Sequence, residues 1–312
     1  MFRNTRRSSL EQRYSPLMTE ILLAIPNVSV GAEPALVAAI TRAYESGGAT
    51  VLDVHSDSDH GRTVHTLAGV AGTLSAALVA GYRAATGSVS LGGNRGVHPR
   101  AGVLDVAPIV FRRQDQRGLA CAEALATAGA LGRAGAPVFL YGILGGGRTR
   151  AEVRRGGPQE LASRVASGEL LPDFGPRTVD PKVGAVLVAA RPPLVAFNLR
   201  LAGNETLGAA KETAAAIREG GAAGLVGVRA LGLELSAQGY VQVSMNLESP
   251  DSVGIPEVVE AVAARHAIVS GELIGLAERS VIDSIPSYLS MPGLDPDLHS
   301  IEGSLRFHGV TN

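Results

Sequence analysis

The sequence predicts an α/β protein made of two ferredoxin-like α/β sandwich subdomains, with mixed β-sheets and helices on the outer faces. Three observations predict it. Apolar, β-branched runs alternate with helix-period segments in the order β-α-β-β-α-β. The same order returns in the second half of the chain. Paired glycines, Gly47-Gly48 and Gly220-Gly221, mark helix ends in corresponding places.

In the first half, Glu20 to Val28 is an apolar run that reads as a strand. Glu33 to Ser46 carries Leu36, Ala39, Ile40, Ala43 and Tyr44 at helical spacing. Thr50 to His55 and Arg62 to Ala68 read as strands around a polar turn, Thr73 to Thr86 as a helix closed by Gly87, and Gly102 to Phe111 as a strand. A helix (Leu119 to Arg133) and a strand (Pro137 to Tyr141) follow. In the second half, the strands are Leu194 to Leu201, Gly224 to Leu235, Tyr240 to Glu248 and Ile268 to Leu276. The helices are Glu205 to Glu219 and Pro256 to His266, the latter with proline in its first turn. The halves share architecture, not sequence identity. These boundaries give a mobile basic head (residues 1–17), an N-terminal subdomain (18–193), a C-terminal subdomain (194–290) and a tail (291–312), with the join near Arg191-Pro192-Pro193. The stretch from Tyr141 to Gly184 is long for a connection, which marks it as functional.

Composition limits the function classes. With 312 residues, 46% hydrophobic and 18% charged, the chain can bury a large core. A formal charge of −1 gives no reason to expect nucleic acid as a partner. No apolar run is long enough for a bilayer span, and the head lacks the apolar segment of a secretory signal. Cys121 is the only cysteine and sits among small apolar residues, so it reads as core packing in a reducing cytoplasm.

Polar residues gather in three places: Asp53 to Arg62, Gly92 to Asp105, and Asp173 to Gly184. Loops at strand ends are where open α/β folds bind ligands. His98 reads either as a proton-transfer group or as a loop histidine held by a carbonyl. Arg62 and Arg100 read as carboxylate-binding groups or as bridges between loops, and Asp105 as an anchor for the His98 loop. Arg148, Arg150, Arg154 and Arg155 are either solvated or bind an anionic tail. Gly145-Gly146-Gly147 lacks the Gly-Lys-[Ser/Thr] that a phosphate loop requires. The run His55-x-Asp57-x-Asp59-His60, with His65 nearby, has spacing that could serve a metal-dependent hydrolase.

The motifs also resemble a known family. Ile25-Pro26-Asn27-Val28-Ser29-Val30-Gly31 resembles the opening strand and turn of the formiminotransferases (glutamate formimidoyltransferases). Asp57-Ser58-Asp59-His60-Gly61-Arg62-Thr63-Val64 resembles their Asp-His-Asn-Arg turn. Gly96-Val97-His98-Pro99-Arg100-Ala101-Gly102-Val103-Leu104-Asp105-Val106-Ala107-Pro108 is similar to their most characteristic stretch. Asp173-Phe174-Gly175-Pro176, Gly184-Ala185, Ala196-Phe197-Asn198-Leu199, Gln242 to Leu247 and Gly271 to Leu276 follow in the same order. Val97 and Gly61 stand where the family has Glu and Asn, and Val30 also departs from its pattern.

The resemblance implies a dimeric, two-subdomain enzyme of one-carbon metabolism and histidine degradation. It would move a formimidoyl group from N-formimidoylglutamate to N5 of tetrahydrofolate, the acceptor co-substrate, and no metal is expected. The family's catalytic histidine falls on His98. Its folate-contacting loop falls on Gly175, Pro176, Arg177, Thr178, Val179, Asp180, Pro181, Lys182, Val183 and Gly184, in a cleft between the subdomains. Asn27, Asp59, His60, Arg62, Arg100 and Asp105 are the expected substrate or orientation residues. A separate cyclodeaminase would take the product. A folate-binding member with reduced catalysis, and the metal-dependent hydrolase above, stand as alternatives.

Overall fold

The computed structural model describes residues 20–31, 33–93 and 96–310. The basic head (1–17), Asn94 and Arg95 lie outside the described residues. The first half contains strands β1 (Ile21–Ala24), β2 (Asn27–Val28), β3 (Thr50–Asp57), β4 (Arg62–Val70), β5 (Leu104–Val110), β6 (Val138–Leu140) and β7 (Val186–Arg191). Its helices are α1 (Pro34–Ser46), α2 (Leu74–Thr86), α3 (Arg117–Arg133), α4 (Arg150–Arg154) and α5 (Gly157–Ala166). The second half contains β8 (Val195–Leu201), α6 (Leu207–Ile217), β9 (Val228–Leu235), β10 (Tyr240–Leu247), α7 (Ile255–Ala263), β11 (Ile268–Ile274), α8 (Arg279–Asp283) and α9 (Ile301–Phe307).

β1 and β2 act as one strand interrupted at Pro26, and together they lie between β4 and β5. The first sheet therefore runs β3-β4-(β1/β2)-β5-β7-β6, antiparallel up to β5 and parallel beyond it. Its first four positions have the ferredoxin-like order. The second sheet, β11-β8-β10-β9, is antiparallel throughout and repeats that order. Helices α1, α2 and α3 cover one face of the first sheet through Ile40, Tyr44, Leu78 and Leu131. α6 and α7 cover one face of the second sheet through Ala214, Ile217, Val258 and Val262. No helix among the described residues is long and apolar enough to cross a membrane.

Strand β7 was not legible as a separate element in Gly184 to Arg191. It is parallel to both neighbours and buried over most of its length, so it shows no polar alternation. The long Tyr141–Gly184 stretch is mostly structured. α4 and α5 cover the second face of β6 and β7 with Val153, Leu161 and Val165. The tail is also structured. Met291 and Leu294 pack on the second core, and α9 packs on the first half, where Ser304 Oγ donates to Leu52 O at 3.0 Å. It thus ties the two halves together.

Close helix packing depends on Gly81 in α2. A Cβ there would lie 2.0 Å from Cε1 of the fully buried Tyr44 ring. Gly81→Ala should therefore lower stability by about 1–3 kcal/mol through overpacking, outweighing the roughly 1 kcal/mol gained in helix propensity. Thermal unfolding of the variant checks this.

Candidate active site

The faces of the two sheets that carry none of the principal helices confront each other across a cavity. It encloses about 970 Å³, counted to its open mouth. Residues directly opposite on neighbouring strands share a face, so the register fixes the lining. On the first sheet, His55 opposes Val64, Asn27 opposes Val64 and Val106, and Asp57 opposes Arg62. On the second, Asn198 opposes Ser244, and Ala196 opposes Asn246 and Ile274. All of these residues line the cavity. His65, one step from Val64, lies on the opposite face, buried beside Thr41 and the Tyr44 ring. Burial pulls its pKa down to about 4.

The centre of the site is built on a β-bulge. Between Val28 and Asn27, the register on β5 advances from Leu104 to Val106, which leaves Asp105 as the extra residue. Its side chain is fully buried and holds three elements together. It accepts from Ala101 N at 2.7 Å and Arg62 Nη1 at 2.6 Å, and from both Nε and Nη2 of Arg154. Desolvation alone would raise its pKa, but the two guanidinium groups and the Ala101 N–H hold it well below the carboxylate range. Arg62 also donates from Nε to Asn27 Oδ1 at 2.9 Å. Burial brings its pKa down to about 10, so it remains charged at neutral pH.

His98 sits in this frame. Its Nδ1 lies 2.8 Å from Pro99 O and 3.2 Å from Arg62 Nη1. A carbonyl can only accept and a guanidinium can only donate, so the two contacts call for opposite tautomers; the nearer one, Pro99 O, assigns the proton to Nδ1 and leaves Arg62 Nη1 as a neighbouring charge. Nε2 is then a bare lone pair, with no hydrogen-bond partner among the described residues. Burial lowers the His98 pKa well below the ordinary value, and the charges of Arg62 and Arg154 lower it further. The His98 loop lies against the preceding turn, backbone to backbone. Val97 N donates to Asp59 O at 3.0 Å, and a Cβ on Gly96 would be 2.2 Å from His60 O. Only glycine fits there.

The expected site residues separate into groups. Asn27, His60, Arg62 and His98 line the cavity, and Asp105 anchors two of its arginines. The His60 ring is 6.1 Å from that of His98, and its Nε2 meets Gln242 Nε2 at 2.9 Å. Arg100 turns back on its own loop, donating to the carbonyls of Gly96 and His98. Asp59 accepts from Ala237 N at 3.3 Å and is not part of the lining. No residue from Gly175 to Gly184 lines the cavity. That loop backs the His98 segment instead: Val103 N donates to Val183 O at 2.8 Å, and Leu91 N to Lys182 O at 2.8 Å. Gly184 has φ +76° and leaves no room for a Cβ beside Ala101 O. Residues 175–178, 180 and 182 are exposed.

The run His55-Asp57-Asp59-His60 is dispersed. His55 Nε2 faces Glu272 at 3.7 Å, Asp57 Oδ1 accepts from His60 N, and His60 faces Gln242. Among the described residues, no three His, Cys, Asp or Glu side chains are grouped so as to hold a metal ion.

The sequence reading missed Tyr141, Arg191, Asn198, Ser244 and Asn246 in the lining, and left Arg150 and Arg154 undecided. The i, i+4 spacing of the two arginines puts them on one face of α4, whereas Arg148 pairs with Asp173 and Arg155 with Glu169. Asn198, Ser244 and Asn246 were signalled by polar residues at alternate positions in otherwise apolar strands. Arg191 Nε is buried without a hydrogen-bond partner among the described residues.

Two α/β sandwich subdomains enclosing an arginine-lined cavity, with the His98 imidazole in its wall, define a cleft enzyme. The chain belongs to the formiminotransferase family: residues 21–191 match the family's formiminotransferase domain, N-terminal subdomain. It is a transferase of one-carbon groups. It is 31% identical over 300 residues to a glutamate formimidoyltransferase of Streptococcus pyogenes, covering 92% of this chain and 99% of that one. It is 32% identical over 286 residues to a glutamate formimidoyltransferase of Thermoplasma acidophilum, covering 87% and 93%. It is also 32% identical over 303 residues to a formimidoyltransferase-cyclodeaminase of Sus scrofa, of which the match covers 54% and 89% of this chain. The match thus spans about half of that bifunctional relative.

Proposed function

We propose that the chain transfers a formimidoyl group from N-formimidoylglutamate to N5 of tetrahydrofolate, with His98 moving the protons. The observation that carries this reading is the bare Nε2 of His98, at the lining of a cavity between two sheets, with its tautomer set by Pro99 O. The cavity suits a flat ring and an anion. Val64, Val106 and Pro108 from one sheet and Ala196 and Ile274 from the other form apolar walls, while Arg62, Arg150, Arg154 and Arg191 supply positive charge.

N5 attacks the amidine carbon and a tetrahedral intermediate forms. His98 Nε2 takes the proton from N5, and the imidazolium returns it to the departing amine as the old C–N bond breaks. One imidazole serves both directions because its neutral form dominates at working pH. Arg191 is assigned to a substrate carboxylate, since Asp105 already occupies Arg62 and Arg154 and Glu248 occupies Arg150. The exposed residues of the 175–184 loop are assigned to the part of the folate that leaves the cavity beside the His98 loop. A homodimer and a separate cyclodeaminase that takes the product belong to the same proposal.

Calorimetry with tetrahydrofolate and N-formimidoylglutamate, run beside a turnover assay, tests the reading. Binding of both with product formation is expected. Folate binding without turnover would favour a member with reduced catalysis. The sign of the His98 shift gives a pH prediction. A base with a lowered pKa keeps its lone pair into more acid solution, so the acid limb of kcat/KM should fall below about pH 6.5. A limb above that value would contradict the assignment.

A further inference from the structure

The cavity wall is strongly cationic. Four guanidinium groups and the imidazoles of His55, His60 and His98 face it, and Asp57 is the one carboxylate among the described residues that line it. The neighbouring acids are occupied. Asp105 is saturated by Ala101, Arg62 and Arg154. Glu248 pairs with Arg150 and Arg229. Glu272 accepts from Asn198 Nδ2 at 3.0 Å and faces His55. Asp57 differs from them. Its Oδ1 accepts from His60 N at 2.7 Å, but among the described residues its Oδ2 has only Gln238 Nε2, at the long distance of 3.5 Å. It shares the strand face of His55 and stands opposite Arg62, which in turn reaches His98 Nδ1.

We propose that Asp57 is the specificity-determining residue that binds the amidinium of the donor and so selects a formimidoyl over a formyl group. This rests on the transfer reading above. An amidine is a strong base and is protonated at neutral pH, presenting two N–H groups in one plane. A carboxylate matches that pattern as it matches a guanidinium. The formyl isostere is neutral and offers a carbonyl oxygen where the amidinium has N–H, so it would meet Asp57 acceptor to acceptor. Without Asp57, a cavity lined by arginines has no group that prefers the cationic donor.

The test compares N-formimidoylglutamate with N-formylglutamate, by calorimetry on the full chain, in the wild type and in Asp57→Asn. Asparagine keeps the side-chain oxygen that accepts from His60 N, so the turn is retained while the charge is removed. The wild type should bind the cationic donor about 10- to 100-fold more tightly than the neutral one, the range of a hydrogen bond to a charged group. Asp57→Asn should bring the two within about twofold, with tetrahydrofolate binding unchanged. An unaltered preference in the variant, or equal binding of both donors by the wild type, overturns the proposal. The wild-type comparison decides even if the variant fails to fold. A wild type that binds neither donor strikes the transfer reading instead, so the two failures are distinguishable.

Discussion

His98→Ala is expected to lower kcat by about 10²–10⁴-fold, a loss of roughly 3–5 kcal/mol of transition-state stabilisation, while tetrahydrofolate still binds. The size follows from the role. The attacking nitrogen must shed a proton and the leaving amine must gain one, and no other lining imidazole is placed to substitute. His60 Nε2 is engaged with Gln242, and His55 faces Glu272. Binding should survive because the apolar walls and the arginines are untouched by the substitution. Steady-state kinetics beside calorimetry on the same variant separates the effects. A fall in affinity with kcat unchanged would make His98 a binding group.

Asp105→Asn should produce the largest loss of stability, about 3–5 kcal/mol, because it removes the charge that compensates two nearly buried guanidinium groups. Chemical denaturation at neutral pH measures it. Activity should fall as well, since Asp105 fixes Ala101 at the end of the His98 loop and positions Arg62 beside Nδ1. The wild type should show the same linkage through acid. The folded pKa lies below the unfolded value of about 3.9, so this stabilisation is complete above that value and is lost as pH falls through the folded pKa. Asp105→Asn should flatten this part of the acid-unfolding profile.

Much of the fold was legible because period and punctuation agree. In the two β-α-β-β-α-β units, strands such as β3 and β9 alternate in burial, and α1 and α2 stop at Gly47 and Gly87. β7 and the tail were not legible, for different reasons. β7 is buried on both faces and merges with the glycine turn before it and the Pro192-Pro193 pair after it. α9 is short, and its partners, Leu52 and Arg112, lie far away in sequence. The centre of the site was legible in His98, Arg62 and Asn27, whose motifs name them. Asp105 was read as an anchor for the His98 loop, and it accepts from Ala101 N; the bulge that also turns it to Arg62 and Arg154 is announced by no residue pattern. The 175–184 loop was assigned to folate by the family resemblance, and its glycines also have a structural reason. Gly175 and Gly184 are required there because the chain passes within contact distance of the Ala136 and Ala101 carbonyls.

The central claim is that the neutral imidazole of His98 faces the nitrogen that receives the one-carbon unit. A crystal structure of the chain with 5-formyltetrahydrofolate, a stable analogue of the product, tests it most directly. The account predicts the pterin between the two sheets, with N5 and its substituent in contact with His98 Nε2. A pterin bound outside that cavity, or bound there with its N5 edge turned away from His98, would contradict it.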